Sequence, residues 1–157
     1  MLKQGSVDQV RHQQIQRATS HIVIAMAFYP RGLKKELADE YRGDLAPARD
    51  LFKEWKEFEK AAGHDEAFKL SRYEDRFDLS PTALFHLKTF SELAKEKDVY
   101  LICQCGIGER CHREMLLIAA HQKYDAPIDK VFHDYPVWKS RISGLNDKLT
   151  WGTLAGR

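Results

Sequence analysis

Hydrophobic and polar positions along the chain fall into a few stretches of readable period. "HIVIAMAFYP", from His21, is an unbroken and partly β-branched apolar run of strand length, stopped by Pro30 and Gly32. It predicts a buried strand. Over residues 31 to 63, Leu33 and Leu37 lie four apart, and Leu51, Trp55 and Phe58 repeat at helical spacing, with Asp44 and Pro47 between the two groups. This predicts two helices around a loop, the second closed by Gly63. Ser80 and Pro81 then supply an N-cap and a first-turn proline for a helix whose apolar face is Leu84, Leu87, Phe90, Leu93 and Ala94. After Asp98, "VYLIC" reads as a short strand that runs into "QCGIGER", and "CHREMLLIAAHQKY" leaves that loop as a helix.

Strand, loop and helix in that order form the unit of a parallel sheet. The expectation is a single compact α/β domain over residues 21 to 140, a mainly parallel sheet flanked by helices. Residues 1 to 20, polar and without period, read as a flexible N-terminal arm or a short helix. "KVFH", at 130 to 133, is a candidate strand, and residues 141 to 157 form an irregular C-terminal tail.

Composition narrows the class. With 157 residues, 43% hydrophobic and 31% charged, the chain has material for one core and no disordered bias. Twenty-five Lys and Arg against 23 Asp and Glu give a formal charge of +2, too little for the broad positive field of general nucleic-acid binding, although a local basic pocket remains open. The longest apolar run is far short of a membrane span, and the polar start shows no signal-peptide pattern, so a cytoplasmic protein is expected, with no membrane partner.

All three cysteines, Cys103, Cys105 and Cys111, lie within nine residues. Clustering of this kind does not suit an extracellular disulfide framework and leaves reduced thiols. The loop falls at the carboxyl end of a predicted strand, where ligands collect in open α/β sheets. The following helix would present its unpaired first-turn amides to that loop, and Gly106 and Gly108 would let the backbone approach an anion. Arg110, His112 and Arg113 crowd a helix start, the wrong charge for capping; an anion there would explain them. The same field favours a thiolate. Cys111 and Cys105 are the candidate nucleophiles, His112 the proton-exchanging group, and Cys103 reads as a packed strand end.

Arg31, at the end of the first predicted strand, is placed to complete the anion pocket if the two strands are parallel neighbours. Three alternatives stay open for the loop. Cys103, Cys105, Cys111 and His112 could in number ligate zinc, although the two-residue knuckle of structural zinc sites is absent; otherwise no cofactor is expected. Phosphatase and sulfurtransferase loops also place a Cys after a strand and an Arg before a helix, and Cys105 to Arg110, with four residues between, matches the shorter rhodanese-like sulfurtransferase loop in length. The site could also sense a nucleotide or other anion without catalysis. Trp55, Phe58 and Phe90 read as core, His86 and His121 as satisfied helix residues, and His133 and Tyr135 carry no spacing signal.

"YPRGLKKE", "DLAPARDLFKEW", "FHLKTFSELAKEKDVYLICQC" and "CHREMLL", in that order, resemble the family known as domain of unknown function 488 over Ile22 to Tyr124. The resemblance implies an intracellular α/β domain with Arg31, Asp44, Cys103, Cys111, His112 and Arg113 as motif residues, and it carries no established activity. This chain departs from its relatives in lacking a charged element in the first strand, and in having Cys105 where relatives tend to have Glu. The combined expectation is a small enzyme acting on a phosphate- or nucleotide-bearing small molecule. Its ligand-holding residues would be Arg31, Asp44, Gly106, Gly108, Arg110 and Arg113.

Overall fold

Residues 1 to 148 are described by a computed structural model of the chain. The first residues pair at once: β1, Leu2–Ser6, is followed directly by a short helix α1, Val7–Arg11, closed by a reciprocal capping box between Ser6 and Gln9. Next come β2, Ser20–Ile24, and the two-residue β3, Glu40–Tyr41. Helices α2, Arg49–Ala62, α3, His64–Leu70, α4, Tyr73–Arg76, and α5, Pro81–Leu93, form one run. The chain then enters β4, Asp98–Cys103, and continues into α6, His112–Tyr124, and α7, Pro136–Arg141. The four strands form one parallel sheet in the order β1, β4, β2, β3, as the strand-loop-helix pattern leads one to expect.

Period-two alternation divides the sheet between two cores. Ile22, Ile24 and Ile102 face a small cluster with Val7, Val10, Ile15 and Leu33. Val23, Ala25, Val99 and Leu101 face the larger core, which α2 to α7 cover. Cys103, two residues beyond Leu101, is on the helix side.

Several expectations need correction. Residues 1 to 20 are no free arm: Leu2 and Val7 are fully buried, and β1 matches β4 residue for residue from Leu2 opposite Val99 to Ser6 opposite Cys103. The strand escapes a periodicity reading because LKQGS is polar and is held by a partner distant in sequence. The stretch from 31 to 48 forms tight turns and β3 instead of a helix, with Leu33 and Leu37 packed on the small cluster. "KVFH" is not a strand; the extra pairing is a single parallel bridge between Leu2 and Ile128. Of the expected tail, 149–157 lie outside the described residues, and the described part includes the buried Ile142.

Other features follow the sequence. Gly63 ends α2 with a φ of 91°, a conformation open to glycine and costly for other residues. Ser80 accepts from the Ala83 amide with Pro81 in the first turn of α5. Among the described residues, no helix is long and apolar enough to cross a membrane.

The topology fixes where a ligand can bind. From β2 the chain moves outward to β3, whereas from β4 it passes through α6 to the Ile128 bridge beyond β1. Adjacent strands β2 and β4 therefore send their connections in opposite directions, and a crevice opens past their carboxyl ends.

Candidate functional site

A cleft of about 330 Å³ occupies that crevice. Met26, Ala27 and Phe28 line it from the end of β2, and Cys103, Gln104 and Cys105 from the end of β4. Trp55, Phe68 and Tyr73 form aromatic wall from the helices, and Arg110, Cys111 and His112 complete it before α6. Five of the residues expected at a site thus meet here: Cys103, Cys105, Arg110, Cys111 and His112.

The three thiols are free, with Cys103 and Cys111 buried and Cys105 half-buried. Ligand atoms of Cys103, Cys111 and His112 lie within 4.8 Å of one another. The His112 ring spans the gap between strand and loop: Nε2–H donates to the Ala25 carbonyl at 2.7 Å, and Nδ1 lies 3.6 Å from Cys111 Sγ. The bond to Ala25 fixes the tautomer and turns Nδ1 towards sulfur. Burial works against charge on this ring, but the thiols of Cys111 and Cys103 outweigh it and raise the imidazole to about 10.

At Cys103 the shift runs the other way. Hydrogen bonds from Cys105 and Cys111, with His112 beside it, hold its thiol well below the ordinary range despite burial. Cys105, as the donor to Cys103, is pushed up. The reading of Cys103 as a packed strand end is therefore incomplete: it is buried and ends β4, but its sulfur is the centre of the cluster.

Arg113 stands behind the thiols instead of reaching for a ligand. It is fully buried, with Nη1 donating to the Gly5 carbonyl and Nη2 to the Gly106 carbonyl at 3.0 Å. Its Nε has no hydrogen-bond acceptor among the described residues. Burial opposes its charge, and the sulfurs of Cys111, Cys103 and Cys105 sustain it. Neither Arg113 nor His112 has a carboxylate within ion-pair distance among the described residues. Two buried cations are thus answered only by carbonyl oxygens and sulfur.

Part of the expected backbone cradle is turned on the loop itself. The Gly106 amide donates to Glu109 Oε1 at 2.7 Å, and the Glu109 amide returns to the Gly106 carbonyl at 3.3 Å. Gly108, with a φ of 94°, shapes the turn without lining the cleft. The Gly106 and Glu109 amides are spent on closing the loop and do not face the cleft.

Arg31 and Asp44 are elsewhere. Arg31 is exposed, its carbonyl accepting from Arg11, because the chain after β2 curls over the small cluster instead of entering a helix beside the cleft. Asp44 accepts from His86 Nδ1 at 3.0 Å and braces the turn before α2 against α5. Arg110 does line the cleft, tethered by Nη1 to the Asp134 carbonyl at 3.0 Å and lying 5.1 Å over the Tyr135 ring.

The sequence did not disclose Glu59, His64 and Glu109 as a group. His64 Nδ1 lies 3.0 Å from Glu59 and 3.2 Å from Glu109, and Nε2 bonds the Arg110 carbonyl, so one imidazole ties the cysteine loop to α2. Lys56, exposed on α2, lines the same cleft. Helical spacing did show that Trp55 is inward-facing, but no period could show that it would meet the thiols.

The family DUF488-N3a, described as the active DUF488-N3 subclade, matches residues 7–122. No curated protein and no solved structure matches the chain.

Proposed function

We propose that this chain, which belongs to the DUF488-N3 subclade, is a small enzyme in which a cysteine thiolate attacks an anionic, ring-bearing small molecule of the phosphate- or nucleotide-bearing class. One observation carries the reading: Arg113 and His112 are buried beside three thiols with no carboxylate among the described residues to balance them. A buried cation without an anion costs several kcal/mol, and ionising a thiol removes that cost. The word "active" in the family's description accords with catalysis.

Within this reading Cys103 is the nucleophile, with Cys105 and Cys111 donating to it in the resting state. Attack forms a bond from Cys103 sulfur to the electrophilic centre. The leaving group departs with the electron pair of the broken bond and takes the proton held at His112 Nδ1; water or a second substrate then frees the sulfur. Trp55, Phe68 and Tyr73 suit a planar group, and Arg110 and Lys56 suit an anion at the mouth. Non-catalytic sensing would need the pocket but not the buried thiolate.

The test is alkylation by iodoacetamide at pH 6, with the modified cysteine located by mass spectrometry. A free thiol is under about 1% ionised there, so a stable thiolate reacts roughly tenfold to a hundredfold faster. Cys103→Ser should abolish the fast reaction, Cys111→Ser should slow it, and a nucleotide should protect. Alkylation of every cysteine at the free-thiol rate would sink the proposal.

The 4.8 Å grouping of Cys103, Cys111 and His112 also favours a metal as a second reading, with the Nε2–H to Ala25 bond as the usual outer support of a histidine ligand. Stoichiometric zinc in protein purified without added metal, with unfolding by chelator, would select it.

A further inference from the structure

The outward face of α2 is charged in a way that the net +2 of the chain conceals. Arg49, Lys53, Lys56 and Lys60 succeed one another at intervals of four, three and four, so they form a single stripe, and all four are exposed. The acids of the helix are drawn elsewhere. Glu54 pairs with Arg76 at 2.7 Å, Asp50 approaches the same guanidinium at 3.9 Å, and Glu59 is held by His64. Glu57 alone remains beside the stripe. None of the four cations has a carboxylate partner among the described residues. An ordinary solvated helix face mixes its signs and forms pairs between neighbouring turns, which this face does not.

Aromatic surface accompanies the charge. Phe28 is 56% exposed, and the Arg49 guanidinium lies 5.1 Å over its ring. Phe28 and Phe52 line a groove of about 450 Å³ along the stripe, and Phe28, Phe52 and Lys56 also line the thiol cleft, so groove and cleft are continuous. From Arg49 to Lys60 the stripe runs about 16 Å at 1.5 Å per residue, beyond the reach of one mononucleotide seated in the cleft.

We infer that this face is a track for single-stranded nucleic acid, with phosphates along Arg49, Lys53, Lys56 and Lys60, a base stacked at Phe28, and the next base directed into the thiol cleft. Cations follow the backbone and ring faces accept bases of any sequence, the combination that single strands require. A duplex keeps its bases stacked away from such a ring. The inference rests on the proposed function for what happens in the cleft; the track itself stands on the stripe, the groove and the exposed ring.

The experiment is fluorescence anisotropy of a fluorescein-labelled twelve-residue oligouridine, a DNA counterpart and a duplex of equal length, over a series of salt concentrations. Binding should prefer single strands and weaken linearly with the logarithm of salt. Replacing Lys53, Lys56 and Lys60 together by Gln should weaken it at least about thirtyfold and reduce the salt slope by about two. Phe28→Ala should weaken it about tenfold at constant slope. All four side chains are exposed, so circular dichroism and melting should be unchanged. No binding, equal binding of duplex, or binding indifferent to the triple substitution would overturn the track. Iodoacetamide alkylation of Cys103 separates the two proposals: fast alkylation without oligonucleotide binding removes the track and leaves the thiolate enzyme, whereas binding with free-thiol reactivity does the reverse.

Discussion

Four consecutive residues at the start of α6 bury two polar centres that are solved in opposite ways. Glu114, fully buried, accepts from the Phe132 amide, from His133 Nδ1 at 2.7 Å and from the Tyr135 hydroxyl at 2.7 Å. Tyr135 in turn accepts from the Cys111 amide, and its phenol is raised by burial and by Glu114, so it stays a donor. That network is closed. One residue earlier, Arg113 is equally buried and has two carbonyls, an unpaired Nε and the thiols. A buried charge with its donors complete serves the fold; one left short of a counter-charge beside a cleft is placed to act on something.

The sharpest break of this contrast is Glu114→Ala. It should leave Tyr135 and His133 without their acceptor and cost about 3 to 5 kcal/mol, read as a lower denaturant midpoint. The loop from 126 to 135 should loosen with it, while the alkylation rate of Cys103 in the still-folded fraction changes little. A Glu114→Ala protein of unchanged stability but lost thiol reactivity would reverse the roles assigned to the two centres.

How much of this was legible in the sequence follows the same division. The strand, loop and helix around the cysteines, the Ser80 cap with Pro81, and the Gly63 stop were readable, because each depends on local period or cap chemistry. β1 was not, since its only signature is a long-range parallel register with β4. The thiols and His112 could be nominated, yet Arg113 was assigned outward from its position at a helix start. Only the fold reveals that Gly5 and Gly106 carbonyls enclose it. His64 and Glu59 reach the site through the packing of α2 and α3 against the loop, a meeting that no spacing encodes.

A smaller effect is expected from pH. The folded His112 is raised from its ordinary value near 6.5 to about 10, so its contribution to stability is full below 6.5 and declines as pH rises through 10. Cys103 is lowered, so its contribution is full above the ordinary thiol value and declines as pH falls through the folded one. Between about 6.5 and 9 the two slopes oppose, because the proton that leaves sulfur is retained on the imidazole. Stability attributable to the pair should therefore be flat across neutrality, fall between about pH 9 and 10, and level off above that. Denaturant midpoints of the wild type minus those of Cys103→Ser, taken from pH 6 to 10.5, read this directly. A steady rise across neutral pH would mean a thiolate without an imidazolium; a steady fall would mean the reverse.

The smallest effect belongs to Arg31, and it tests whether proximity in a motif matters more than proximity in space. Arg31 is exposed on the side of the small cluster, contributes only its carbonyl to Arg11, and lines no part of the thiol cleft. Arg31→Ala should change stability by under about 0.5 kcal/mol and leave the alkylation rate at pH 6, and its protection by nucleotide, unaltered. Arg110→Ala supplies the contrast: Arg110 lines the cleft over Tyr135, and its loss should weaken nucleotide protection several-fold at constant unprotected rate. If Arg31→Ala weakened protection as much as Arg110→Ala, the ligand would have to extend over the turn after β2, and the boundary drawn between the two faces of the sheet would move with it.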